Sequence, residues 1–136
     1  VHVIGSITPH AELKRVSGST EELTSIIQHR DPAAFLGWRH ENDPTSELVV
    51  SELREGAQSV HDFRFAADRH TFIAVGNETA GVPEELVFRA DTLVYIPMPG
   101  PGFCLNTSQT ANVLLFEYVR QANEHRNATN VSAMVG

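Results

Sequence analysis

Residues 73–83 read IAVGNETAGVP, an apolar run that passes directly into a glycine turn and then into a proline. The run from Phe72 to Val75 has the length and the purely apolar character of a strand covered on both faces of a sheet. Gly76 and Gly81 bracket the turn, and glycine permits backbone conformations and close approaches that other residues resist. Pro83 is favoured at the first position of a helix. The stretch therefore predicts a strand, then a turn whose backbone can touch a ligand, then a helix.

Apolar runs elsewhere predict three more strands, over residues 1–5, 48–53 and 92–96. In the second of these, adjacent valines disfavour a helix, and a helix over Thr45–Glu55 is the competing interpretation. Ser19 opens a capping-box pattern, which predicts a helix through Ile26 and Ile27. Asp31 followed by proline predicts a second helix, running through Trp38.

The clearest helix lies near the end of the sequence, where Asn106 or Thr107 can cap it. Its predicted buried stripe consists of Ala111, Leu114, Leu115 and Tyr118. Residues from about Asn123 onward are rich in Asn, Ala, Ser and Thr, so we expect one domain over 1–125 and a flexible tail over 126–136. Strands that alternate with helices indicate an α/β fold, with a mostly parallel sheet and helices on both faces.

Composition limits the classes of function. The net charge of −7 disfavours a protein that coats nucleic acid non-specifically, although a local arginine surface can still hold RNA. Cys104 is the single cysteine, so no internal disulfide can form, and no apolar run is long enough for a membrane span. We therefore expect a soluble cytoplasmic protein. The seven histidines show no zinc-ligand spacing, so we expect no metal.

Ligands of open parallel sheets bind at the loops that follow the carboxyl ends of strands. Three such loops follow the predicted strands here: the turn after Leu53, residues 76–83 and residues 97–106. Glu78 lies within the glycine turn, where a carboxylate can hold a neighbouring loop or attract a cationic ligand, or can simply be an exposed charge at the start of a helix. Residues 97–102 hold three prolines and two glycines and are therefore stiff. Asn106 ends this loop, as a helix cap, a ligand contact or both.

Two motifs resemble one known family. Residues 73–83 are similar to the Gly-Asn-Glu-x-x-Gly turn of SpoU/TrmH-type RNA methyltransferases, which belong to the SPOUT superfamily. Ile96-Pro97-Met98, followed by CLNTS at 104–108, is similar to the family's Ile-Pro-Met segment and to the Ser-Leu-Asn that opens its last helix. The resemblance is strong over 72–121, and faint but compatible over 1–53.

The resemblance implies a deep trefoil knot at the C-terminal end and S-adenosylmethionine bent within the knotted loops, held mainly by backbone groups. The implied cofactor-binding residues are Glu52, Leu53, Gly76, Asn77, Gly81, Ile96, Met98, Cys104 and Leu105. Glu78 and Asn106 match the polar positions that shape the family's active site, and we assign them the catalytic positions. The last helix is expected to build a homodimer, and the substrate to be a ribose 2′-hydroxyl of tRNA or rRNA.

The sequence departs from the family in one respect that bears on catalysis. The family places an arginine near the N-terminus, in an Asn-x-Gly-x-x-x-Arg segment, and here residues 1–5 match the strand that follows that segment. We therefore expect the first strand, its helix and that arginine to be missing from this chain. This leaves either a fragment of an active enzyme or a non-catalytic relative that binds the cofactor and RNA. A third hypothesis is an unrelated Rossmann-like or flavodoxin-like nucleotide binder. Cys104, where serine is usual, weakens hydrogen bonding.

Overall fold

The computed structural model describes residues 1–6, 23–77, 79–100 and 105–135, with side chains in the last range up to Asn127. The chain divides into two compact units, Val1–Pro44 and Thr45–Gly136. Two predicted site residues, Glu78 and Cys104, lie outside the described residues, as does the start of the helix predicted at Ser19. The assignment of residues 1–125 to one domain stays a prediction.

The first unit contains two short parallel strands and a helix. Strand β1 (His2–Ile4) pairs with β2 (Ile27–His29), and helix α1 (Pro32–Asn42) packs against both strands. The Asp31 carboxylate caps the helix by accepting a 2.8 Å hydrogen bond from the Ala34 N–H, which satisfies one of the unpaired amides of the first turn. The strand predicted over residues 1–5 and the helix predicted from Asp31 are both confirmed.

The helix predicted through Ile26 and Ile27 is wrong at its end, because Ile27 begins strand β2. The Ile27 N–H donates to the Val1 carbonyl at 2.9 Å, so pairing with β1 fixes its backbone. Isoleucine is β-branched and fits a strand better than a helix. Strand pairing therefore determines the conformation of Ile27, and the capping-box pattern does not.

The second unit is built on a four-stranded, wholly parallel sheet in the order β4-β6-β3-β5. Its strands are β3 (Glu47–Ser51), β4 (Gln58–Ser59), β5 (Thr71–Ala74) and β6 (Thr92–Tyr95). Leu48, Val49 and Val50 are fully buried, because β3 has a neighbouring strand on each side and both of its faces are covered. The competing helix over Thr45–Glu55 is wrong, and the predicted α/β class with a mostly parallel sheet is confirmed.

Helix α2 (Glu84–Arg89) begins one residue later than predicted. Pro83 has an extended backbone, with φ −53° and ψ 133°, and it therefore caps the helix rather than forming its first residue. Helix α3 (Thr107–Val135) follows the proline-rich segment. None of the helices within the described residues combines the length and apolar character that a bilayer crossing requires.

The buried face of α3 differs from the predicted stripe at one position. Leu114 is fully buried, and Ala111 and Tyr118 are partly buried, but Leu115 is 51% exposed. Each residue advances about 100° around an α-helix. Leu114 and Gln121, seven residues apart, centre the buried face, so Leu115 falls beyond its edge. The inclusion of Leu115 in the stripe was wrong.

Gln121 fastens α3 to the loop that follows β4. Its side-chain amide donates to the Phe63 carbonyl at 2.9 Å and accepts from the Phe65 N–H at 3.0 Å. It also donates to Glu117 at 2.7 Å. The Arg120 guanidinium, which hydrogen-bonds to the same carboxylate, holds the pKa of Glu117 at about 2. These contacts join α3 to the sheet side of the unit.

The backbone of α3 is helical to Val135, and the flexibility expected of residues 126–136 stays a prediction. Residues 123–135 contain neither proline nor glycine, the two residues that most strongly end a helix. Extending an existing helix also needs no new nucleation. The composition of this segment is therefore compatible with the helical backbone.

Candidate functional site

A cavity of about 330 Å³ lies where β3, β5 and β6 end. Neighbouring parallel strands have their carboxyl ends at one edge of the sheet, and this is the usual position of ligand sites in open parallel sheets. The volume lies within the range of small-molecule sites. The lining residues are Ser51, Glu52, Leu53, Val75, Gly76, Asn77, Gly81, Val82, Tyr95, Ile96, Met98, Leu105, Thr107 and Thr110.

The glycine turn forms one wall of this cavity. The Asn77 side-chain oxygen accepts hydrogen bonds from the N–H groups of Thr79, at 2.9 Å, and Ala80, at 2.7 Å. The Gly81 N–H donates to the Asn77 carbonyl at 3.0 Å. Gly81 has a φ of +67°, a left-handed conformation that disfavours residues with a Cβ. Asn77 and Gly81 therefore close a tight turn between β5 and α2.

One hydrogen bond joins the glycine turn to the start of α3. The Thr107 hydroxyl donates to the Gly76 carbonyl at 2.6 Å across 31 residues of sequence. Leu105, Thr107 and Thr110 line the cavity from the α3 side, while Gly76 and Asn77 line it from the β5 side. The two motifs identified in the sequence therefore meet at one site.

Asn106 is the N-cap of α3. Its side-chain oxygen accepts a 2.8 Å hydrogen bond from the Gln109 N–H, and its carbonyl accepts one of 2.9 Å from the Thr110 N–H. The Ser108 hydroxyl donates to the same side-chain oxygen at 2.9 Å. Among the described residues, Asn106 lies between two lining residues without lining the cavity itself. The capping role is confirmed, and its catalytic role stays a prediction.

Charge at the cavity is sparse. Glu52 is the one acidic residue in the lining described above, which contains no lysine, arginine or histidine. Close by in sequence, Arg54 forms a two-pronged ion pair with Glu84, at 2.8 and 2.5 Å. These hydrogen bonds from Arg54 lower the pKa of Glu84 below its ordinary value. The described residues hold no group of three metal-ligating side chains.

The predicted cofactor-binding residues come together, except for Cys104, which lies outside the described residues. The eight that line the cavity are Glu52, Leu53, Gly76, Asn77, Gly81, Ile96, Met98 and Leu105. Their role in binding stays a prediction, as does the role of Glu78.

Sequence reasoning missed six lining residues: Ser51, Val75, Val82, Tyr95, Thr107 and Thr110. Thr107 and Thr110 could have been predicted together, because residues three positions apart at the start of a helix lie on the same face.

Comparison with known proteins gives one consistent family. Residues 1–116 match the model of the SpoU rRNA Methylase family. The chain is 32% identical over 120 residues to a 23S rRNA (uridine(2479)-2′-O)-methyltransferase of Streptomyces viridochromogenes. The aligned residues cover 85% of this chain and 41% of that relative. The chain is also 33% identical over 97 residues to a tRNA (cytidine(34)-2′-O)-methyltransferase of Beijerinckia indica, covering 71% of this chain and 58% of that protein. The chain therefore spans about half the length of these curated relatives.

Solved structures agree with the sequence relatives. The SpoU methyltransferase AviRb from Streptomyces viridochromogenes superposes with a TM-score of 0.78 at 27% identity, over 91% of this chain and 49% of that one. The same enzyme in complex with AdoMet superposes with a TM-score of 0.70 at 32% identity, over 88% and 46% of the two chains.

Proposed function

Because the chain belongs to the SpoU rRNA Methylase family, we propose that it forms the cofactor-binding part of an enzyme that methylates a ribose 2′-hydroxyl of tRNA or rRNA, with S-adenosylmethionine as the donor. The relatives from two bacteria, named as rRNA and tRNA 2′-O-methyltransferases, support this reaction. They favour an enzyme over a non-catalytic binding module. The family match also argues against an unrelated nucleotide binder.

The observation that carries the proposal is the hydrogen bond from Thr107 to Gly76. It holds the two family motifs against each other, so that both contribute walls to one cavity at the ends of three strands. A site made from only one of the motifs would present a single loop to solvent. With both, the cavity has opposed walls that can hold a small molecule in one orientation.

The lining of the cavity suits S-adenosylmethionine. Leu53, Ile96, Met98 and Leu105 supply apolar surface for the adenine ring, and the bare backbone at Gly76 allows close approach of main-chain groups. Glu52 supplies a carboxylate, which is compatible with a ligand that carries hydroxyl groups and positive charge. We propose that these residues hold the cofactor.

The cofactor, when bound, supplies an activated methyl group. A ribose hydroxyl is a weak nucleophile, so holding it in line with that methyl group provides much of the acceleration. We propose that the walls formed by the strand ends and the glycine turn fix one reactant, while the loop ending at Asn106 positions the other. Glu78 and Asn106 remain the proposed residues that shape this part of the active site.

Three further features of the family are proposals for this chain. We propose that its C-terminal segment forms a trefoil knot, for which the contact between α3 and the glycine turn gives support. We propose a homodimer through α3, supported by apolar side chains on its outer face. We also propose that the protein acts in the cytoplasm, where tRNA and rRNA are found.

Two measurements test the proposed function. Isothermal titration should detect binding of S-adenosylmethionine and S-adenosylhomocysteine to the chain. Transfer of a radiolabelled methyl group to bulk tRNA or rRNA should then be detected with the protein that contains the chain, and ribose methylation confirmed by nuclease digestion and mass spectrometry. Binding without transfer would favour the non-catalytic module. No binding of either ligand would remove the proposal.

A further inference from the structure

Glu52 follows strand β3 and projects into the cavity that we propose for the cofactor. Its N–H donates to the Val94 carbonyl at 3.0 Å, which fixes its backbone against β6. Its carboxylate extends toward the glycine turn, and an oxygen of it would lie 3.5 Å from a Cβ built on Gly81. The residue therefore spans from the end of β3 to the wall formed by the turn after β5.

The Glu52 carboxylate accepts no hydrogen bond and forms no ion pair within 4 Å among the described residues, although its charge contributes to raising the pKa of Arg54. The nearest candidate in sequence, Arg54, is engaged with Glu84 through both of its terminal nitrogens. Glu52 is also partly buried, so it is shielded from part of the water that would otherwise solvate it. A carboxylate in this setting is stabilised when a ligand brings hydrogen-bond donors to it.

The chemistry of the lining restricts which part of a ligand can lie against Glu52. A carboxylate of the ligand would be repelled, because the lining described above has no cation to separate two negative charges. An uncharged nucleoside has no such conflict, and Leu53, next in sequence, lines the same cavity with apolar surface for a base. The two oxygens of a carboxylate can accept hydrogen bonds from the two neighbouring hydroxyls of a ribose.

We infer that Glu52 is a specificity-determining residue that accepts hydrogen bonds from the ribose hydroxyls of the cofactor's nucleoside half. The inference rests on the proposed function, since it assumes that this cavity holds S-adenosylmethionine. It goes further in giving one side chain a defined ligand group. Glu52 thereby selects ribonucleoside over deoxyribonucleoside ligands.

The test is isothermal titration of the chain with S-adenosylhomocysteine and with its 2′-deoxy and 3′-deoxy forms. The wild-type chain is expected to bind S-adenosylhomocysteine more tightly than either deoxy form. Glu52→Gln keeps the size of the side chain and removes its charge. We expect it to bind S-adenosylhomocysteine about 10- to 100-fold more weakly, the usual effect of losing hydrogen bonds to a charged group. The same substitution should weaken binding of the two deoxy forms much less. Glu55→Gln, an exposed residue three positions along, is the matched control and should behave as wild type.

The outcomes separate this inference from the proposed function. If the wild-type chain binds none of these ligands, the proposed function fails first. Unchanged affinity in a folded Glu52→Gln variant would overturn the inference and leave the proposed function intact. Equal losses for all three ligands would also overturn it, because the residue would then only shape the cavity. A larger loss for S-adenosylmethionine than for S-adenosylhomocysteine would assign Glu52 to the sulfonium charge instead, and would likewise refute the role in ribose selection. Circular dichroism and thermal unfolding establish that the variant is folded.

Discussion

A Cβ placed on Gly76 would lie 2.1 Å from the carbonyl carbon of Gly81, a distance that no real side chain tolerates. The obstacle is backbone, which cannot rotate away as the tip of a side chain can. Any residue other than glycine at position 76 must therefore displace the turn, and with it one wall of the cavity. The requirement for glycine here arises from close packing between two backbone segments.

Gly76→Ala is accordingly expected to lower the free energy of unfolding by about 3 kcal/mol, in the upper part of the range for overpacked sites. It should also abolish binding of S-adenosylhomocysteine. Gly37→Ala is the control, because a Cβ on Gly37 has nothing within 4 Å. That residue lies within helix α1, where alanine is favoured over glycine by about 0.5–1 kcal/mol. The free energy of unfolding of the Gly37→Ala protein should therefore rise slightly. Urea unfolding measures both, and equal effects of the two substitutions would contradict this account.

Thr107→Val should weaken the junction between the two motifs. The substitution removes the hydroxyl that donates to the Gly76 carbonyl and keeps the shape of the side chain. We expect a loss of about 1 kcal/mol in unfolding free energy, the usual net value of a hydrogen bond, together with weaker binding of S-adenosylhomocysteine. Thr107→Ser retains the hydroxyl and should restore most of the affinity. If valine binds as tightly as threonine, the junction does not organise the cavity.

The elements that could be predicted from the sequence are those decided by neighbouring residues. Leu48, Val49 and Val50 form a strand because all three are apolar and the two valines are β-branched, a combination that suits a sheet buried on both faces. Asp31 and Asn106 cap helices through residues three positions away. Such interactions are local, and so a short window of sequence contains them.

What could not be predicted depends on residues far apart in the chain. Ile27 becomes part of a strand because residues 1–4 are available to pair with it. The contact of Thr107 with Gly76 spans 31 residues, and those of Gln121 with Phe63 and Phe65 span 58 and 56. A periodic pattern of apolar residues does not specify contacts between residues this far apart in the sequence. The resemblance to a known family predicted that the two loops form one site. The apolar and glycine patterns alone predicted only two separate turns.

Gln121→Ala should be among the most destabilising polar substitutions in α3. It leaves the Phe63 carbonyl and the Phe65 N–H without their partner in a buried position, since Gln121 itself is only 5% exposed. Unsatisfied buried groups cost about 1–3 kcal/mol each, so we expect the two groups together to cost about 2–6 kcal/mol. Asn112→Ala, at an exposed position of the same helix, should change stability by less than about 0.5 kcal/mol. Chemical unfolding followed by circular dichroism compares them, and similar losses would refute the anchoring role.

The first unit should lose stability in mild acid. His2 Nδ1 lies 2.8 Å from His29 Nε2, so one of the two nitrogens must accept, and the two rings stack with centroids 5.1 Å apart. Burial, followed by the charges of His29 and of the Val1 amino group, lowers the pKa of His2 below its ordinary 6.5. The unfolded state therefore takes up a proton at higher pH than the folded state. The stabilisation is complete above pH 6.5 and is lost as the pH falls toward the folded pKa.

Trp38, the single tryptophan, reports on this pair, because the centroid of its ring lies 4.4 Å from the centroid of the His2 ring. Urea titrations followed by Trp38 fluorescence should show a lower midpoint at about pH 5.5 than at about pH 7.5. His2→Phe keeps an aromatic ring and removes the titrating group, so most of the difference between the two pH values should disappear. A wild-type midpoint that is the same at both pH values would contradict the predicted loss of stability, and a difference that persists in His2→Phe would exclude the histidine pair as its source.

The outer face of α3 should carry the proposed homodimer. Leu115, Phe116 and Val119 are 51%, 72% and 52% exposed. Val119 lies four residues from Leu115 and three from Phe116, so the three side chains form one apolar surface that faces away from buried Leu114. Apolar surface of this kind on a helix that is already packed on its other side is typical of an interface. Sedimentation equilibrium should therefore give a dimer at micromolar concentration, and Phe116→Arg should give a folded monomer. Phe88→Arg, on α2, changes a side chain that is 80% exposed and adds the same charge, so it should leave the dimer intact. A wild-type chain that remains monomeric, or a dimer that survives Phe116→Arg and dissociates with Phe88→Arg, would move the interface away from α3.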